Sequence, residues 1–482
     1  MPGVIVQTQT LSGPSTPLRA PDGQFFVVGL AERGPTNAVF PLRGMPDYTR
    51  YYGDRVSYGA LYDQLLTYFN EGGQQAYVAR VVGPAATVGS LTLLDQAGSP
   101  LNTIRVDAAN AGSWSTQLSV EIQAGSLTNT FRMIVTLNGV QVHNVNNISS
   151  PSDAVNQFAT SPYIKVTNLG SATAAPANNP DVVAATALSA GADDRTSATD
   201  TTFVNALALF NYELGDGSVA IPGKAATAIW TGINAHCVAN NRIGLLAAVQ
   251  SETKSNLLNR VAEVDSEYCG LFAPWIRISD GAGSYRTISP EGYVAACRAK
   301  AHDQTGPWRV PAGSLSSANT LVGLDVIYTR QDSQDLDDGR VNVIKTVANT
   351  IRLYGWRSLS SSDEYKLLHN RDLLNYLVVQ AQAKLEDSLF KPIDGKGQLL
   401  NAVNASIVGL VDPIARAGGL YALLDPTGKQ VDPGYKVVTD NSVNTPALLA
   451  LNQIAARLLV RISPVGALIT LTIVKVNNQA GF

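Results

Sequence analysis

Two apolar runs that do not alternate constrain this sequence most: Phe25-Phe26-Val27-Val28-Gly29 and Ala76-Tyr77-Val78-Ala79-Arg80-Val81-Val82. A strand that is apolar on both faces has to be covered on both, as happens inside a sheet flanked by helices. Between the runs lie the turn Arg33-Gly34-Pro35 and the stretch Tyr58 to Phe69, whose apolar residues recur at helical spacing until Gly72-Gly73 stops them. Strand, helix and strand joined this closely predict an α/β unit, with parallel pairing open to it.

The texture changes from about Ala85 to Ala190. Short alternating runs, Leu118 to Ile122 and Phe131 to Leu137, are separated by Asn, Gly and Ser turns such as Asn138-Gly139, the pattern of an inserted all-β module. Gly170 to Pro180, rich in Ala, Asn and Pro, reads as an exposed loop. Helical spacing returns at Phe203 to Phe210 and Ala225 to Cys237, and Ile243 to Val249 reads as another buried strand. At 482 residues the chain has room for about three domains of roughly 150 residues. The expected division is an N-terminal arm at 1–20, a discontinuous α/β outer domain at 21–84 and 200–323, an inserted β-rich domain at 85–199, a C-terminal α/β core domain at 324–462 and a strand arm at 463–482. The fold class is a multidomain α+β or α/β protein.

The last third opens with the strand-like Val341-Asn342-Val343-Ile344. Ser361 and Glu364 then have capping-box spacing and announce a helix with Leu367, Leu374, Val378, Ala381 and Leu385 on one face. A second helix lines up Leu400, Val403, Ile407, Leu410 and Ile414 and ends at Gly418-Gly419. Both stripes read as core. Near the end Ile469, Leu471 and Ile473 alternate with Thr470 and Thr472, a half-buried strand. Val4-Ile5-Val6 is β-prone and is followed by a run of Thr, Ser, Gly and Pro that buries little by itself. Such ends either move freely or lend their backbone to another sheet.

Charged residues make up 15% of the chain and apolar ones 45%, a thin charge coat that suggests surface hidden in contacts. The net charge of −3 is spread along the chain with no basic stripe, so nucleic acid is not an expected partner. No basic segment followed by an apolar one opens the sequence, and no uninterrupted apolar run approaches the ~20 residues that cross a bilayer. The chain is therefore expected to stay in the cytoplasm where it is made, without direct membrane insertion. Cys237, Cys269 and Cys297 stand apart with no CxxC spacing and read as buried thiols in a reducing compartment, with a disulfide open if the protein works outside.

Chemistry finds little support. His143, His236, His302 and His369 are scattered, and the neighbours His236 and Cys237 point in different directions on a helix, so no metal site is expected. Gly223-Lys224 resembles the end of a phosphate loop, but Ser218 stands where the upstream glycine belongs and Ala225 where the magnesium-binding hydroxyl belongs. No Gly-x-Ser-x-Gly elbow is present. The acidic run Asp332 to Asp338 reads as a solvated loop. No cofactor and no enzyme activity are expected.

Several segments, in order, resemble the contractile tail sheath family. Pro2-Gly3-Val4-Ile5-Val6 is similar to its opening arm, Phe25 to Gly29 with Arg33-Gly34-Pro35-Thr36-Asn37 to its first strand and turn, and Asn70-Glu71-Gly72-Gly73 with Tyr77 to Val81 to its glycine-ended helix and following strand. Gly112-Ser113-Trp114 is similar to the start of its β module, with Ser115 in place of the usual glycine. The most specific trio is Ala273-Pro274-Trp275, Ile288-Ser289-Pro290-Glu291-Gly292 and Gly306-Pro307-Trp308-Arg309-Val310-Pro311-Ala312-Gly313. Arg340 to Ile344, Leu353 to Ser360, Arg371-Asp372-Leu373-Leu374 and Ser463-Pro464-Val465 complete the resemblance, although Tyr354 to Trp356 departs from the family's usual turn.

The resemblance implies a structural subunit that polymerises as stacked hexameric rings around a tail tube. It would contract from a metastable extended state and so drive the tube through a cell envelope. Implied partners are further copies in a helical stack, the tail tube protein, and baseplate and neck or tail terminator proteins. The implied location is the virion, with assembly in the host bacterial cytoplasm. Strand exchange between subunits is assigned to Val4, Ile5 and Val6 in the first arm and to Ile469, Leu471 and Ile473 in the last. The competing expectations are a non-contractile self-assembling shell or tube protein and a multidomain hydrolase.

Overall fold

The computed structural model describes residues 23–281 and 283–466. The chain divides into two compact units, Met1–Pro307 with Pro311–Tyr376, and Trp308–Val310 with Leu377–Phe482.

The larger unit begins with β1 (Phe25–Gly29), β2 (Pro41–Leu42), α1 (Met45–Tyr52), α2 (Leu61–Asn70) and β3 (Ala76–Arg80). Strands β1 and β3 pair in parallel, Phe25 opposite Ala76, and every residue of both is buried. Two faces are covered, as the unalternating runs require. Phe25 turns to Tyr68 of α2, ring centroids 5.2 Å apart. Its neighbour Phe26 turns the other way, onto Tyr77 and Phe210.

The chain then departs into β4 (Ser90–Leu94), β5 (Asn102–Ala108), β6 (Leu118–Ala124), β7 (Phe131–Leu137), β8 (Val140–Ile148), α3 (Pro151–Gln157), β9 (Ile164–Asn168) and β10 (Val183–Ala187). Two antiparallel sheets, ordered β4-β5-β9 and β10-β6-β7-β8, share one apolar core that includes Trp114, Val120, Phe131 and Ile164. Burial alternates along β6 and β7, and Asn138 and Gly139 both take positive φ in the two-residue turn to β8. The expected purely β module contains one helix. Pro151 stands in the first turn of α3, and the Ser150 hydroxyl accepts the Asp153 N–H as its cap. The outgoing and returning chains are zipped together by bonds between Thr87 and Ala192 and from Gly83 N–H to Asp193 O.

On return come α4 (Asp200–Ala206), β11 (Ser218–Ala220), α5 (Thr227–Asn240), β12 (Ile243–Ala247), α6 (Lys254–Arg260) and β13 (Cys269–Ala273). They are followed by β14 (Ile276–Ser279), β15 (Tyr285–Ile288), α7 (Glu291–Gln304), β16 (Leu321–Leu324), α8 (Arg330–Asp338), β17 (Val341–Val347) and β18 (Thr350–Leu353). The main sheet has eight strands in the order β18-β17-β13-β12-β11-β1-β3-β2. The central six are parallel and both edge strands are antiparallel. Strands β15-β14-β16 form a separate small sheet.

Where α2 meets α7, the Gln64 amide donates to Ser289 O at 2.8 Å, and its carbonyl accepts from Gly292 N at 2.6 Å. Gly292 lies so close to the Gln64 backbone oxygen that any side chain would collide with it.

Three expectations are corrected. A boundary at 323/324 would cut the main sheet, because Val341 and Val343 pair with Leu271 and Ala273 of β13, and the smaller unit begins only at Leu377. Ser361 caps no helix: its hydroxyl bonds Asp265, and α9 (Leu368–Glu386) starts later. Its buried residues include Leu368, Leu373, Leu377 and Val379, whereas Val378 is exposed, so the expected stripe does not follow the buried face.

The smaller unit takes the end of α9, then α10 (Gln398–Arg416), β19 (Leu423–Leu424), β20 (Gln430–Asp432), β21 (Tyr435–Val438), α11 (Pro446–Ala450) and β22 (Arg457–Val460). Helix α10 buries Leu399, Val403, Ile407, Leu410, Val411 and Ile414, close to the expected face, with Leu399 in place of Leu400. By length and composition alone it is apolar enough to cross a membrane, but its one-sided pattern is that of a helix packed on a core.

Candidate assembly surface

The residues assigned to strand exchange, Val4, Ile5, Val6, Ile469, Leu471 and Ile473, lie outside the described residues. The smaller unit contains a two-stranded ribbon. Strands β21 and β22 pair antiparallel, Tyr435 opposite Val460 and Val438 opposite Arg457, as a two-stranded sheet. A lone two-stranded ribbon is marginal in water and needs a packing partner. Here that partner is α10, which β21 packs against, with the Tyr435 hydroxyl 3.2 Å from Asp412 Oδ1.

Local sequence builds this support. Asp394 accepts the N–H groups of Lys396, Gln398 and Leu399 and so starts α10. These bonds hold its carboxyl below the usual carboxylate range. Helix α10 ends with Gly418 at φ 82° and Gly419 N–H on Ile414 O, the helix stop expected from the glycine pair. The loop between β21 and β22 is tied by Asn444, whose amide donates to Thr439 O and Ala455 O and accepts from Ala455 N.

Backbone direction follows from the register. Arg461 N–H bonds Gly434 O, Tyr421 N–H bonds Arg461 O, and Ser463 N–H bonds Gly419 O. The odd-numbered residues from 457 to 463 therefore turn their backbone groups toward β21 and then toward 419–421. Those of Leu458, Val460 and Ile462 face the opposite edge, and those of Tyr435 and Val437 face the outer edge of β21. Among the described residues neither edge has a further strand. In the same unit, Leu424, Val431, Leu451 and Leu459 expose between 49% and 67% of their surface. Unpaired edges beside exposed apolar side chains template added strands.

Arg461 fastens the chain just after β22. Its guanidinium donates to Tyr421 O at 3.1 Å and pairs with Asp432 at 3.1 Å. Those bonds, together with the Gly434 N–H, hold the Asp432 carboxyl below its usual range.

Elsewhere the polar groups serve the fold. Gly223 N–H donates to the buried Glu291 at 3.1 Å, so it does not face outward as a phosphate donor. Lys224 pairs with Asp200 and lies 4.5 Å from the Phe203 ring, beside a cavity of about 130 Å³ also lined by Val28, Gly29, Tyr58 and Pro222. His143 bonds the Ser161 hydroxyl and His236 bonds Arg242. Among the described residues no His, Cys, Asp or Glu gather in a metal-binding group. Cys237, Cys269 and Cys297 are buried and free. The acidic run is helix α8, opened by a reciprocal Thr329–Asp332 cap and held by Lys254 at 2.8 Å from both Asp332 and Asp335, not a solvated loop.

The tryptophans of the family-like motifs are all partnered. Trp114 bonds Asn110 O, Trp275 bonds Ala248 O and Trp356 bonds Asp372, while Trp308 packs on Gly419. Strand β21 is not among those expected from the sequence. Its one signal is the β-prone Tyr435-Lys436-Val437-Val438 directly after Gly434.

No protein-family model and no curated protein matches the sequence. Solved structures match the fold over nearly the whole chain. The sheath tail protein of Listeria innocua aligns over 88% of this chain and 89% of its own, with TM-score 0.62 and 13% identity. The sheath tail protein of Desulfitobacterium hafniense aligns over 91% and 94%, with TM-score 0.58 and 13% identity. A structure of the sheath complex of the extracellular contractile injection system PVC, in its contracted state, aligns over 100% and 99%, with TM-score 0.57 and 13% identity. The chain has the fold of contractile tail sheath proteins.

Proposed function

We propose that the chain is a sheath subunit: copies polymerise as stacked hexameric rings around a tail tube, and the extended lattice contracts to drive the tube through a cell envelope. The observation that carries this reading is the β21–β22 ribbon, two strands with both edges open among the described residues, in a chain whose fold is that of sheath proteins. The terminal segments containing Val4 to Val6 and Ile469 to Ile473 are β-prone and supply strands of the right kind for a neighbour's ribbon.

Main-chain bonds of that sort are indifferent to side-chain identity, so subunits stay linked while their outer surfaces exchange contacts. The work of contraction comes from the lattice, as a cooperative passage between two packings, with each subunit supplying a few kcal/mol. No catalytic step or cofactor enters. Partners are the tube, a baseplate and a terminator at the opposite end. The particle is a phage virion or a related injection machine, assembled in the bacterial cytoplasm.

Electron microscopy of the purified full chain tests this directly. Hollow cylinders of two distinct lengths per ring are expected, and deleting Met1 to Arg19 or everything after Ser463 is expected to leave a folded subunit that forms none. Cylinders of one fixed lattice would favour a non-contractile shell. Normal cylinders from both truncations would remove the strand-exchange mechanism.

A further inference from the structure

The motif Gly306-Pro307-Trp308-Arg309-Val310-Pro311 has no part in the ribbon, yet the structure gives it a place beside one. The chain leaves the larger unit after Pro307, contributes Trp308–Val310 to the smaller unit, and resumes the larger at Pro311. Trp308 lies against Gly419: a Cβ built on that glycine would come within 2.7 Å of the indole Cδ2 and 2.8 Å of Cγ, as well as 2.7 Å of Ile414 Cγ2. Gly419 does not have positive φ, so its backbone would accept any residue. The glycine is needed to admit the ring.

Gly419 is also a rung of the ladder from which the C-terminal tail departs. Its carbonyl accepts Ser463 N–H at 3.2 Å, Tyr421 N–H reaches Arg461 O at 2.7 Å, and Leu420 faces Ile462 between them. Leu420 is buried. A two-rung ladder frays readily unless something packs on it. The indole, delivered from a segment more than a hundred residues earlier, supplies that packing.

We infer that Trp308 is a positioning residue for the C-terminal tail: stacked on Gly419, it locks the 419–421/461–463 ladder and so sets the direction in which the chain beyond Ser463 leaves for a neighbouring copy. This rests on the strand-exchange reading above. It acts through the ladder, by fixing residues 461–463 against 419–421.

The test uses the full chain. Hydrogen exchange is followed on peptides covering 419–421 and 461–463, with cylinder formation scored in parallel, for W308A, W308F and G419A. W308A and G419A are expected to raise exchange at the Tyr421 and Ser463 amides at least tenfold, to leave β1 and β3 unchanged, and to form few or irregular cylinders. W308F, which keeps a smaller ring over the glycine, is expected to fall between. Should W308A unfold the smaller unit, the milder W308F carries the comparison.

Unchanged exchange in all three variants overturns the clasp. Raised exchange with cylinders like those of the parent overturns its steering role. Deletion of Ala467 to Phe482 separates the two ideas: if that truncation still assembles normally, strand exchange fails, while the exchange data on W308F and G419A still decide whether Trp308 holds the ladder.

Discussion

His236 offers a direct test of how the larger unit is held together at its core. Its Nε2 accepts a hydrogen bond from Arg242 Nη1 at 2.9 Å, which requires a neutral imidazole. Arg242 is itself buried, donates to Phe210 O, Asn211 O and Gly215 O, and lies 3.9 Å from the Phe26 ring. Burial first, and the guanidinium second, push the imidazole from its usual 6.5 down to about 4. The unfolded chain takes up this proton near pH 6.5 and the folded chain only near pH 4. Between those values the unfolded state holds more protons, so stability falls as pH falls, and below about 4 the loss is complete. The whole displacement corresponds to about 3 kcal/mol, of which about 2–3 kcal/mol is lost by pH 4.5. Urea unfolding at pH 7 and pH 4.5, followed by tryptophan fluorescence, measures it against H236Q, whose amide oxygen can accept from Arg242 but does not titrate. The parent is expected to lose about 2–3 kcal/mol more than H236Q over this interval. If both lose stability in parallel, the Arg242–imidazole contact does not control the titration and the reasoning fails.

Asp372 accepts Arg298 Nε at 2.8 Å and Trp356 Nε1 at 3.1 Å, with both charged side chains essentially inaccessible. D372A removes the carboxylate paired with a buried cation and is expected to cost about 3–5 kcal/mol in thermal or denaturant unfolding. Asp332 is held from its usual 3.8 down to about 2, chiefly by Lys254 and then by the Thr329 hydroxyl. The cap of α8 is therefore expected to persist to pH 4 and to fail as pH falls toward 2, read by hydrogen exchange over residues 330–338. Val437→Pro and Val460→Pro each remove an outward-facing N–H and spare the β21–β22 rungs. Both variants are expected to melt close to the parent, and the double variant to lose cylinder formation by electron microscopy. Leu459→Pro, which removes an inward N–H, is expected to disrupt the ribbon itself.

The main sheet was legible because its strands carry their own signature. Phe25 to Gly29, Ala76 to Ala79 and Ile243 to Ala247 are apolar without alternation, and only a doubly covered sheet buries such a run. The hairpin at Asn138-Gly139 and the end of α10 at Gly418-Gly419 were equally local, each requiring backbone that few residues adopt. The start of α9 was not. The Ser361–Glu364 spacing is a true capping pattern, but Asp265, distant in sequence, took the Ser361 hydroxyl. Likewise nothing in Val341 to Ile344 states that its partner is β13 and not a strand of a separate C-terminal domain.

Sequence by itself determined the repertoire: buried strands in the first half, an alternating insertion, β-prone ends, and a chain with no assembled catalytic motif. Each of these follows from side-chain periodicity or from backbone permissiveness, properties a residue carries with it. Tertiary structure alone decided which strand lies beside which, that Trp308 packs on Gly419, and that the even-numbered residues of 457–463 turn away from β21 to an edge unpaired among the described residues. Those are choices among partners of similar local fitness, settled by the simultaneous burial and hydrogen bonding of segments far apart in the chain, and no local pattern encodes that outcome.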